Sequence, residues 1–389
     1  MSSNVPAKAY IVAARRSALG RIGGLHRSRR LEDLTAPVVI AALADARISP
    51  EEVDEVVIGN SSQGGNPARL IALAAGLPLT TPALTIDRQC GSGLDAILHA
   101  VRSIAAGEAR IVVAGGAESL STAPWRIAKP RNVFQLPHFI GLEPTAAGPN
   151  DVPQPLIASE ALAQRHQISR AAQDAFAMKS HLRAETAREA RRFVGEIVPM
   201  RANREEARDE SATGATLGDI EAETAYCPPD GTLTPGNTSQ PHDGAAIAVV
   251  VCEEVWRRLG CPPALRPIAS AVEGVAPDIE AEAPIAAMRK LDGRLNGLDR
   301  KAIRAVELGE SSAAQAIAVM SSTGIEESML NADGGALVRG HPLGASGAVL
   351  VTRLFSRLLR RDSKARDGYG IVALGAIGGL GMATLFEAV

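Results

Sequence analysis

Residues 85–93 read TIDRQCGSG and lie between an apolar run and a helix-forming run. The apolar run, PALTI at 82–86, predicts a short buried strand, and the Ala-, Leu- and Ile-rich run at 94–106 predicts a helix. Cys90 therefore falls at a strand-to-helix turn. The small residues that follow it would let a ligand approach the backbone closely.

The position of Cys90 favours nucleophilic chemistry. A helix N-terminus presents unpaired N–H groups and the positive end of the helix dipole, and both features favour a thiolate. The alternative is a small buried hydrophobic side chain, which is how most free cysteines behave. The other cysteines, Cys227, Cys252 and Cys261, have no metal-like spacing, and we expect Cys252 to lie in the core. No spacing in the sequence indicates a metal or a redox cofactor.

Strands and helices alternate on both sides of this turn. Before residue 118, the patterns predict strands at 9–14, 53–59 and 110–116 and helices at 34–46 and 67–75. A further strand at 244–252 is predicted to rejoin the same sheet. The alternation predicts an α/β fold, in which a sheet carries helices on its faces.

A second series of elements with the same order follows Cys261. It is predicted to contain strands at 265–274, 370–374 and 382–386 and helices at 303–320 and 348–359. The shared order suggests a pseudo-duplicated fold. Between the two series, a segment rich in Pro, Arg and polar residues predicts an inserted lid with two basic helices between Arg170 and Arg192. We expect the arginines from Arg183 to Arg192 to form a solvated helix face, with anion binding as the alternative.

The composition argues against several classes of protein. The 389 residues include 41 Lys and Arg against 43 Asp and Glu, so there is no global reason to expect nucleic-acid binding. Residues 1–10 lack the apolar core of a signal peptide, and the longest apolar run, 245–252, is far too short to span a bilayer. We therefore expect a cytoplasmic protein with no membrane contact.

A second loop carries the other half of the candidate site. Residues 340–347 read GHPLGASG and precede an apolar helix. Pro342 biases His341 away from helical geometry, so that the imidazole belongs to the loop. A lone histidine is more often structural than catalytic. A loop histidine in a chain that also offers a cysteine at a helix start is, however, the pairing that nucleophilic catalysis requires.

Four motifs occur in the order found in thiolases: CGSG at 90–93, DGT through GNTS at 230–239 with DGAA at 243–246, GHPLGASG at 340–347, and GGLGMA at 378–383. The chain resembles the thiolase family, the acetyl-CoA acetyltransferases and 3-ketoacyl-CoA thiolases, over nearly its full length. The resemblance implies a five-layered αβαβα fold with two pseudo-duplicated halves. It also implies that the protein assembles as a homodimer or a homotetramer. One half would comprise residues 1–117 with 242–263, and the other would comprise residues 264–389. A loop domain would comprise residues 118–241.

The resemblance also implies roles for individual residues. Cys90 would accept the acyl group, and His341 would activate it and help to hold the thioester oxygen. The backbone N–H groups of Cys90 and Gly378 would form an oxyanion hole. Ser239 would line the pantetheine channel, and Gly340 would contact substrate beside His341. Coenzyme A would enter as part of the acyl-CoA substrate and not as a resident cofactor.

The sequence departs from the thiolase pattern at several positions. Ala376 stands where thiolases carry a second catalytic cysteine, and Gly309 stands for the Asn of their Asn-Glu-Ala-Phe motif. Ser311 occupies the place where a related subclass has its second cysteine. Glu310 is the candidate substitute acid–base, because burial can raise a carboxyl pKa into a useful range. A structural hydrogen-bonding role for Glu310 is the alternative.

Two further departures fall in the predicted loop domain. Gln154 and Pro155 align approximately with the His-Met pair of thiolases, and Thr224 lies near the position of the CoA-contacting arginine.

Three functions remain open from the sequence. The first is a thiolase-type acyltransferase that passes an acyl group through Cys90 to CoA or to a carbon nucleophile. The second is a specialised condensing or acyl-transfer enzyme that needs no second cysteine, such as one driven by decarboxylation. The third is a non-catalytic thiolase-like subunit that binds acyl-CoA.

Overall fold

The structure is a computed structural model and describes residues 8–140, 155–200, 208–210, 214–227, 229–295, 298–361 and 368–389. Its strands are β1 (Ala9–Ser17), β2 (Gly20–Arg21), β3 (Glu55–Gly59), β4 (Ala83–Ile86), β5 (Ile111–Glu118), β6 (Ile127–Ala128), β7 (His138–Phe139), β8 (Ile197–Val198), β9 (His242–Cys252), β10 (Leu265–Gly274), β11 (Ile303–Gly309), β12 (Tyr369–Ala376) and β13 (Leu380–Ala388). Its helices are α1 (Leu31–Ala46), α2 (Pro67–Ala74), α3 (Ser92–Ala106), α4 (Pro155–Arg165), α5 (Arg170–Glu189), α6 (Leu217–Glu221), α7 (Glu253–Arg258), α8 (Ala283–Asp292), α9 (Ala313–Thr323), α10 (Ala336–Arg339) and α11 (Ser346–Phe355).

The strands of the first half lie in the order β4-β3-β5-β9-β1. Strand β3 is parallel to β4 and β5, whereas β9 is antiparallel to β5 and β1. Helices α1 and α2 cover one face of this sheet and α3 covers the other. Every residue of β5 and β9 is therefore buried. Burial on both faces explains why these strands read as nearly continuous apolar runs without alternating polar residues.

The second half repeats this arrangement. Its strands lie in the order β11-β12-β13-β10, and a single bridge from Val306 to Leu330 places residues 329–331 beside β11, where β4 lies beside β3 in the first half. Helices α8 and α9 pack together on the outer face. The two halves meet at β1 and β10, which pair at Ile11 and Leu265.

Helices α3 and α11 pack against each other between the two halves of the sheet and form the central layer of five. Glycines permit this close approach at the start of both helices. A Cβ on Gly93 would lie 2.8 Å from the carbonyl oxygen of Gly344, and one on Gly347 would lie 2.6 Å from the backbone nitrogen of Leu94. The packing thus brings the loops that precede the two helices to one place.

The segment between β5 and β9 is anchored to both halves by buried ion pairs. Arg353 of α11 pairs with Glu196 and Asp333, and Arg16 of β1 pairs with Glu196 at 2.6 Å. All four side chains are excluded from solvent, and such pairs are costly to break singly because a buried charge is left behind. The domain boundaries at 118 and 241 stay a prediction.

One predicted helix was wrong over its first half. Residues 303–320 were expected to form a helix, but β11 covers Ile303–Gly309 and pairs in parallel with β12, and α9 begins only at Ala313. Short apolar runs do not distinguish a buried strand from a helix by periodicity alone. Here tertiary pairing with β12 decides the conformation.

Two other details of the prediction were also wrong. The segment between Arg170 and Arg192 forms one 20-residue helix, α5, and not two, because Ser169 caps it and no breaker interrupts it. Of the arginines from Arg183 to Arg192, Arg188 and Arg191 are exposed as a solvated face requires, whereas Arg183 donates to Glu327 at 2.8 Å. Strand β4 is not fully buried, since it lies at the edge of the sheet, where Leu84 is 38% exposed.

The other strands and helices predicted in the two halves are confirmed, with ends that differ by a few residues. Cys252 lies in the core as expected. None of the described helices combines the length and the apolar character that a bilayer-spanning segment needs.

Candidate active site

Cys90 and His341 meet at the N-terminal ends of the two central helices. The Nε2 atom of His341 lies 3.0 Å from the Sγ atom of Cys90, although the residues are 251 positions apart in the sequence. Cys90 is 5% exposed, and His341 is partly buried. The pair is therefore within hydrogen-bonding reach in a site that is largely closed to bulk water.

The turn that carries Cys90 is locked by Ser92, the first residue of α3. The Ser92 hydroxyl accepts a hydrogen bond from the N–H of Arg88 at 2.7 Å and donates to the carbonyl of Gln89 at 2.6 Å. Gln89 has a φ of 50°, in the left-handed region that non-glycine residues rarely adopt. Strain of this kind clusters at functional sites, and here it aims the cysteine side chain into the site.

The loop that carries His341 is held by hydrogen bonds to the residues at the start of β9 and just before it. The His341 N–H donates to the carbonyl of Gln240 at 2.9 Å, and the N–H of His242 donates to the carbonyl of His341 at 3.1 Å. Gly340 precedes the histidine with a φ of 91°, and a Cβ there would lie 2.1 Å from the His242 ring. The imidazole is oriented by Ser346, whose hydroxyl lies 2.9 Å from Nδ1.

Burial sets the protonation of the pair. It raises the pKa of the Cys90 thiol to about 12, against the opposing effect of the Ile377 N–H, and the negative charge of Glu118 raises it further. Burial, with the charge of nearby His242, lowers the pKa of His341 to about 4. The resting site is therefore a neutral thiol beside a neutral imidazole. The helix N-terminus favours a thiolate, but desolvation outweighs that effect at Cys90.

Gly378 lies beside this pair, at a turn between β12 and β13. Its φ is 89°, and its N–H donates to the carboxylate of Glu280 at 2.8 Å. The preceding N–H, that of Ile377, is directed at the Cys90 sulfur and lowers its pKa. The predicted oxyanion donor thus lies at the site, and its hydrogen bond is accepted by Glu280, a carboxylate that no sequence pattern indicated.

Glu310 has the contacts of a structural carboxylate. It accepts hydrogen bonds from Asn331 Nδ2 at 2.6 Å and from the N–H of Leu337 at 3.2 Å. It packs under Gly335, where a Cβ would lie 2.0 Å from one carboxylate oxygen. Burial raises its pKa, with Asn331 opposing that effect. These contacts connect the end of β11 to the segment that leads to the His341 loop.

Ser239 lies beside the residues that follow β11. Its N–H donates to the carbonyl of Ser311 at 3.0 Å, and its hydroxyl donates to the same carbonyl at 3.3 Å.

At Gly309, a Cβ would lie 2.8 Å from that of Leu374, so this position has no room for a larger side chain without a shift. Ala376, which ends β12, is 7% exposed.

Glu118 is a second carboxylate that the sequence analysis missed. It accepts hydrogen bonds from the Ser61 hydroxyl at 2.7 Å and from the N–H of Gly344 at 2.9 Å, and it also accepts from Ser62. These bonds fasten the His341 loop to the end of β5. A charged residue at the end of an apolar strand was the signal that could have identified it.

Gln154 lies outside the described residues, Pro155 begins α4, and Thr224 is exposed.

Comparisons with known proteins agree with this architecture. Residues 9–254 match the family model of the thiolase N-terminal domain, and residues 263–388 match that of the thiolase C-terminal domain. The chain is 36% identical to an acetyl-CoA acetyltransferase of Cupriavidus necator, over 97% of this chain and 98% of that protein. It is also 36% identical to a beta-ketoadipyl-CoA thiolase of Pseudomonas putida, over 96% of this chain and 98% of that protein.

A solved structure gives the same result for the fold. The crystal structure of the Bacillus anthracis acetyl-CoA acetyltransferase superposes with a TM-score of 0.92 at 32% identity and covers 100% of both chains. The five-layered fold expected from the resemblance is thereby confirmed. The chain belongs to the thiolase family of acyltransferases.

Proposed function

We propose that this protein transfers an acyl group from an acyl-CoA or 3-ketoacyl-CoA thioester onto Cys90 and then to CoA or to a carbon nucleophile. The observation that carries the proposal is the distance of 3.0 Å between Cys90 Sγ and His341 Nε2. A cysteine and a base at this distance form the arrangement that covalent catalysis requires.

The geometry supports a specific first half-reaction. The thiol proton of Cys90 moves to Nε2 of His341 as the sulfur attacks the carbonyl carbon of the thioester. The C–S bond to CoA then breaks, and the imidazolium returns the proton to the CoA sulfur. The N–H groups of Cys90 and Gly378 would stabilise the oxyanion once the substrate oxygen displaces the Glu280 carboxylate from the Gly378 N–H. Fixed donors of this kind commonly contribute about 3 kcal/mol.

The substrate is the CoA thioester, and the proposed steps use no resident cofactor. Gly340 directly precedes His341, and Ser239 directly precedes the segment 240–242 that bonds to it. Both positions support contacts to the pantetheine arm of the substrate. The thiolase names of the relatives support acetyl-CoA or a 3-ketoacyl-CoA as the donor.

Intact mass spectrometry after incubation with acetyl-CoA tests the proposal. Wild type should gain one acetyl group, and Cys90→Ala should gain none. Cys227→Ala is the matched control, because Cys227 is a free and exposed cysteine, and it should gain the group as wild type does. An unmodified wild type, or an adduct that persists in Cys90→Ala, would exclude the acyl-enzyme.

A second candidate is favoured by Ala376, which we propose replaces the second catalytic cysteine of thiolases. A methyl group transfers no proton, so an enzyme that creates its carbanion by decarboxylation would not need that cysteine. Condensation assays with malonyl-CoA and with acetyl-CoA as the extending substrate distinguish the two candidates. Product from malonyl-CoA alone would favour the decarboxylative enzyme, and product from acetyl-CoA would favour the thiolase-type reaction.

A third candidate is a non-catalytic acyl-CoA-binding subunit, which full turnover by the pure protein would exclude.

The assembly is proposed to be a homodimer or a homotetramer. The β6–β7 hairpin exposes Trp125, Phe134 and Phe139, which are 83%, 93% and 68% accessible, and a partner would cover such an apolar surface. Light scattering coupled to gel filtration measures the mass directly, and a monomer at micromolar concentration would contradict the proposal. The cytoplasmic location stays a prediction.

A further inference from the structure

Glu280 is a buried acid next to the reacting sulfur. It belongs to the helical turn Pro277–Glu282, is 6% exposed, and accepts the hydrogen bond of the Gly378 N–H at 2.8 Å. The adjacent N–H, that of Ile377, points at Cys90 Sγ. Neighbouring amides of one turn thus hold the sulfur and the carboxylate side by side. The negative charge of Glu280 is also close enough to raise the pKa of the Cys90 thiol.

The backbone around Glu280 is fixed against the turn that follows Ala376. The N–H of Val275 donates to the carbonyl of Gly379 at 2.7 Å. A Cβ on Gly379 would lie 2.3 Å from the carbonyl oxygen of Val275, so the two segments approach as closely as backbones allow. The turn Pro277–Glu282 also contacts β12, which ends at Ala376. Glu280 therefore reaches the site from a rigid support.

Glu118 and Glu310, the other buried carboxylates of the candidate site, are committed to structural bonds. Glu118 accepts from Ser61, Ser62 and the N–H of Gly344, and so fastens the His341 loop to β5. Glu310 accepts from Asn331 and Leu337. Neither could take up a substrate proton without releasing a contact that shapes the fold. Glu280 accepts from the Gly378 N–H, and the substrate oxygen would take over that donor when the oxyanion forms.

We propose that Glu280 is the acid–base group of the second half-reaction and does the work of the cysteine that thiolases carry at position 376. The inference rests on the acyl-transfer function proposed above. It assigns the α-carbon chemistry to a carboxyl group on a different segment of the chain.

The proton transfers balance in the thiolysis direction. Cys90 gives its proton to His341 and attacks the C3 carbonyl of a 3-ketoacyl-CoA, and the C2–C3 bond breaks. Protonated Glu280 gives its proton to C2, which releases acetyl-CoA and leaves an acyl-Cys90 and a carboxylate. The imidazolium and the carboxylate then exchange a proton through solvent, and the neutral imidazole takes the proton of the incoming CoA thiol as its sulfur attacks the acyl group. The departing Cys90 thiolate recovers its proton from the imidazolium.

The reverse direction gives a measurable partial reaction. Ionised Glu280 removes an α-proton from acetyl-CoA, so wild type in D₂O should exchange the methyl protons of acetyl-CoA for deuterium. Glu280→Gln has nearly the same shape and cannot accept that proton. It should still form acyl-Cys90 at a rate within several-fold of wild type, while α-proton exchange falls by ~10²-fold or more, the range typical of lost general acid–base catalysis.

The matched control is Glu282→Gln, on the same turn, where the carboxylate pairs with Arg165 at 2.9 Å on the surface. It should retain both acylation and exchange. Glu280→Met, an uncharged side chain of similar length, should repeat the loss of exchange and covers the case in which Glu280→Gln does not fold. The double variant Glu280→Gln/Ala376→Cys should recover exchange, because it returns a proton-transfer group to the same turn.

The outcomes separate this proposal from the previous one. A wild type that forms no acyl-Cys90 contradicts the acyl-transfer function itself. A wild type that is acylated but exchanges no α-protons, or a Glu280→Gln or Glu280→Met that exchanges them at the wild-type rate, overturns the role of Glu280 alone. Loss of acylation and exchange together in both Glu280 variants would assign Glu280 to the support of the Gly378 turn and would also overturn it.

Discussion

The hydroxyl of Ser346 lies 2.9 Å from Nδ1 of His341 and holds the imidazole with Nε2 directed at Cys90. A neutral imidazole has one nitrogen that carries a proton and one that accepts a hydrogen bond. The hydrogen-bond partner of one nitrogen sets which of the two carries the proton. In the tautomer in which Nδ1–H donates to Ser346, Nε2 is left as the acceptor of the thiol proton. Ser346 is therefore a positioning residue for the proposed nucleophile.

Ser346→Ala should lower the rate of Cys90 acylation by about tenfold, the lower end of the loss seen when an outer partner of a functional histidine is removed. The affinity for acetyl-CoA should change little, because the serine hydroxyl bonds to the imidazole ring. Pre-steady-state acylation kinetics measure both quantities. Ser328→Ala removes an exposed hydroxyl and is the control. A rate in Ser346→Ala equal to that of the control would show that the hydrogen bond does not matter.

The acylation rate should be insensitive to pH over the neutral and mildly acidic range. His341 can accept the thiol proton only when neutral, and burial lowers its pKa to about 4. The rate should therefore stay constant as the pH falls to about 5, and should then decline as the pH falls through the lowered pKa. An unperturbed histidine would lose activity around pH 6.5. Short pH jumps with detection of released CoA give the profile, and a midpoint near 6.5 would contradict the account.

Gly340→Ala should destabilise the fold by about 3 kcal/mol, because backbone strain and a steric overlap add together. The residue has a φ of 91°, and the new Cβ would overlap the ring of His242. Urea unfolding measures the loss. Gly107→Ala has a φ of 79° with nothing within 4 Å, so it isolates the strain and should cost only about 1 kcal/mol. Equal losses in the two variants would exclude the overlap with His242.

Arg353→Met should destabilise the protein by about 3–5 kcal/mol at neutral pH, because Glu196 and Asp333 lose a buried partner. The guanidinium lowers the pKa of both carboxyl groups against the effect of burial. The stability it contributes is therefore complete above the ordinary carboxyl pKa of about 4 and is lost as the pH falls further.

Urea unfolding of this variant at several pH values should show a penalty that shrinks toward pH 3. Arg300→Met is the control, because its partner Asp292 lies on the surface, and it should cost less than about 1 kcal/mol. A penalty for Arg353→Met as small as that of the control would contradict the structural role of the buried cluster.

The sequence predicted the two central loops correctly because each carries a local signal. Cys90 lies at a strand-to-helix turn, and Pro342 keeps His341 out of the following helix. Their convergence over 251 positions could be expected only through the resemblance to thiolases. The structure explains it by the glycines at 93 and 347, which let the two central helices start in contact.

Features that depend on tertiary contacts were not predicted. Glu280 lies in a stretch, PDIEAE, that reads as a solvated turn, and its bond to Gly378 spans 98 positions. The raised pKa of Cys90 depends on burial by both halves, which no local pattern expresses. Strand β11 likewise owes its conformation to pairing with β12.

We propose that Cys90 and His341 together take an acyl group from acetyl-CoA, and the decisive measurement is the burst of free CoA on rapid mixing with excess acetyl-CoA. Wild type should release a burst of one CoA per chain, Cys90→Ala none, and His341→Ala should release CoA far more slowly. No burst in wild type, or a burst that survives in Cys90→Ala, would contradict it.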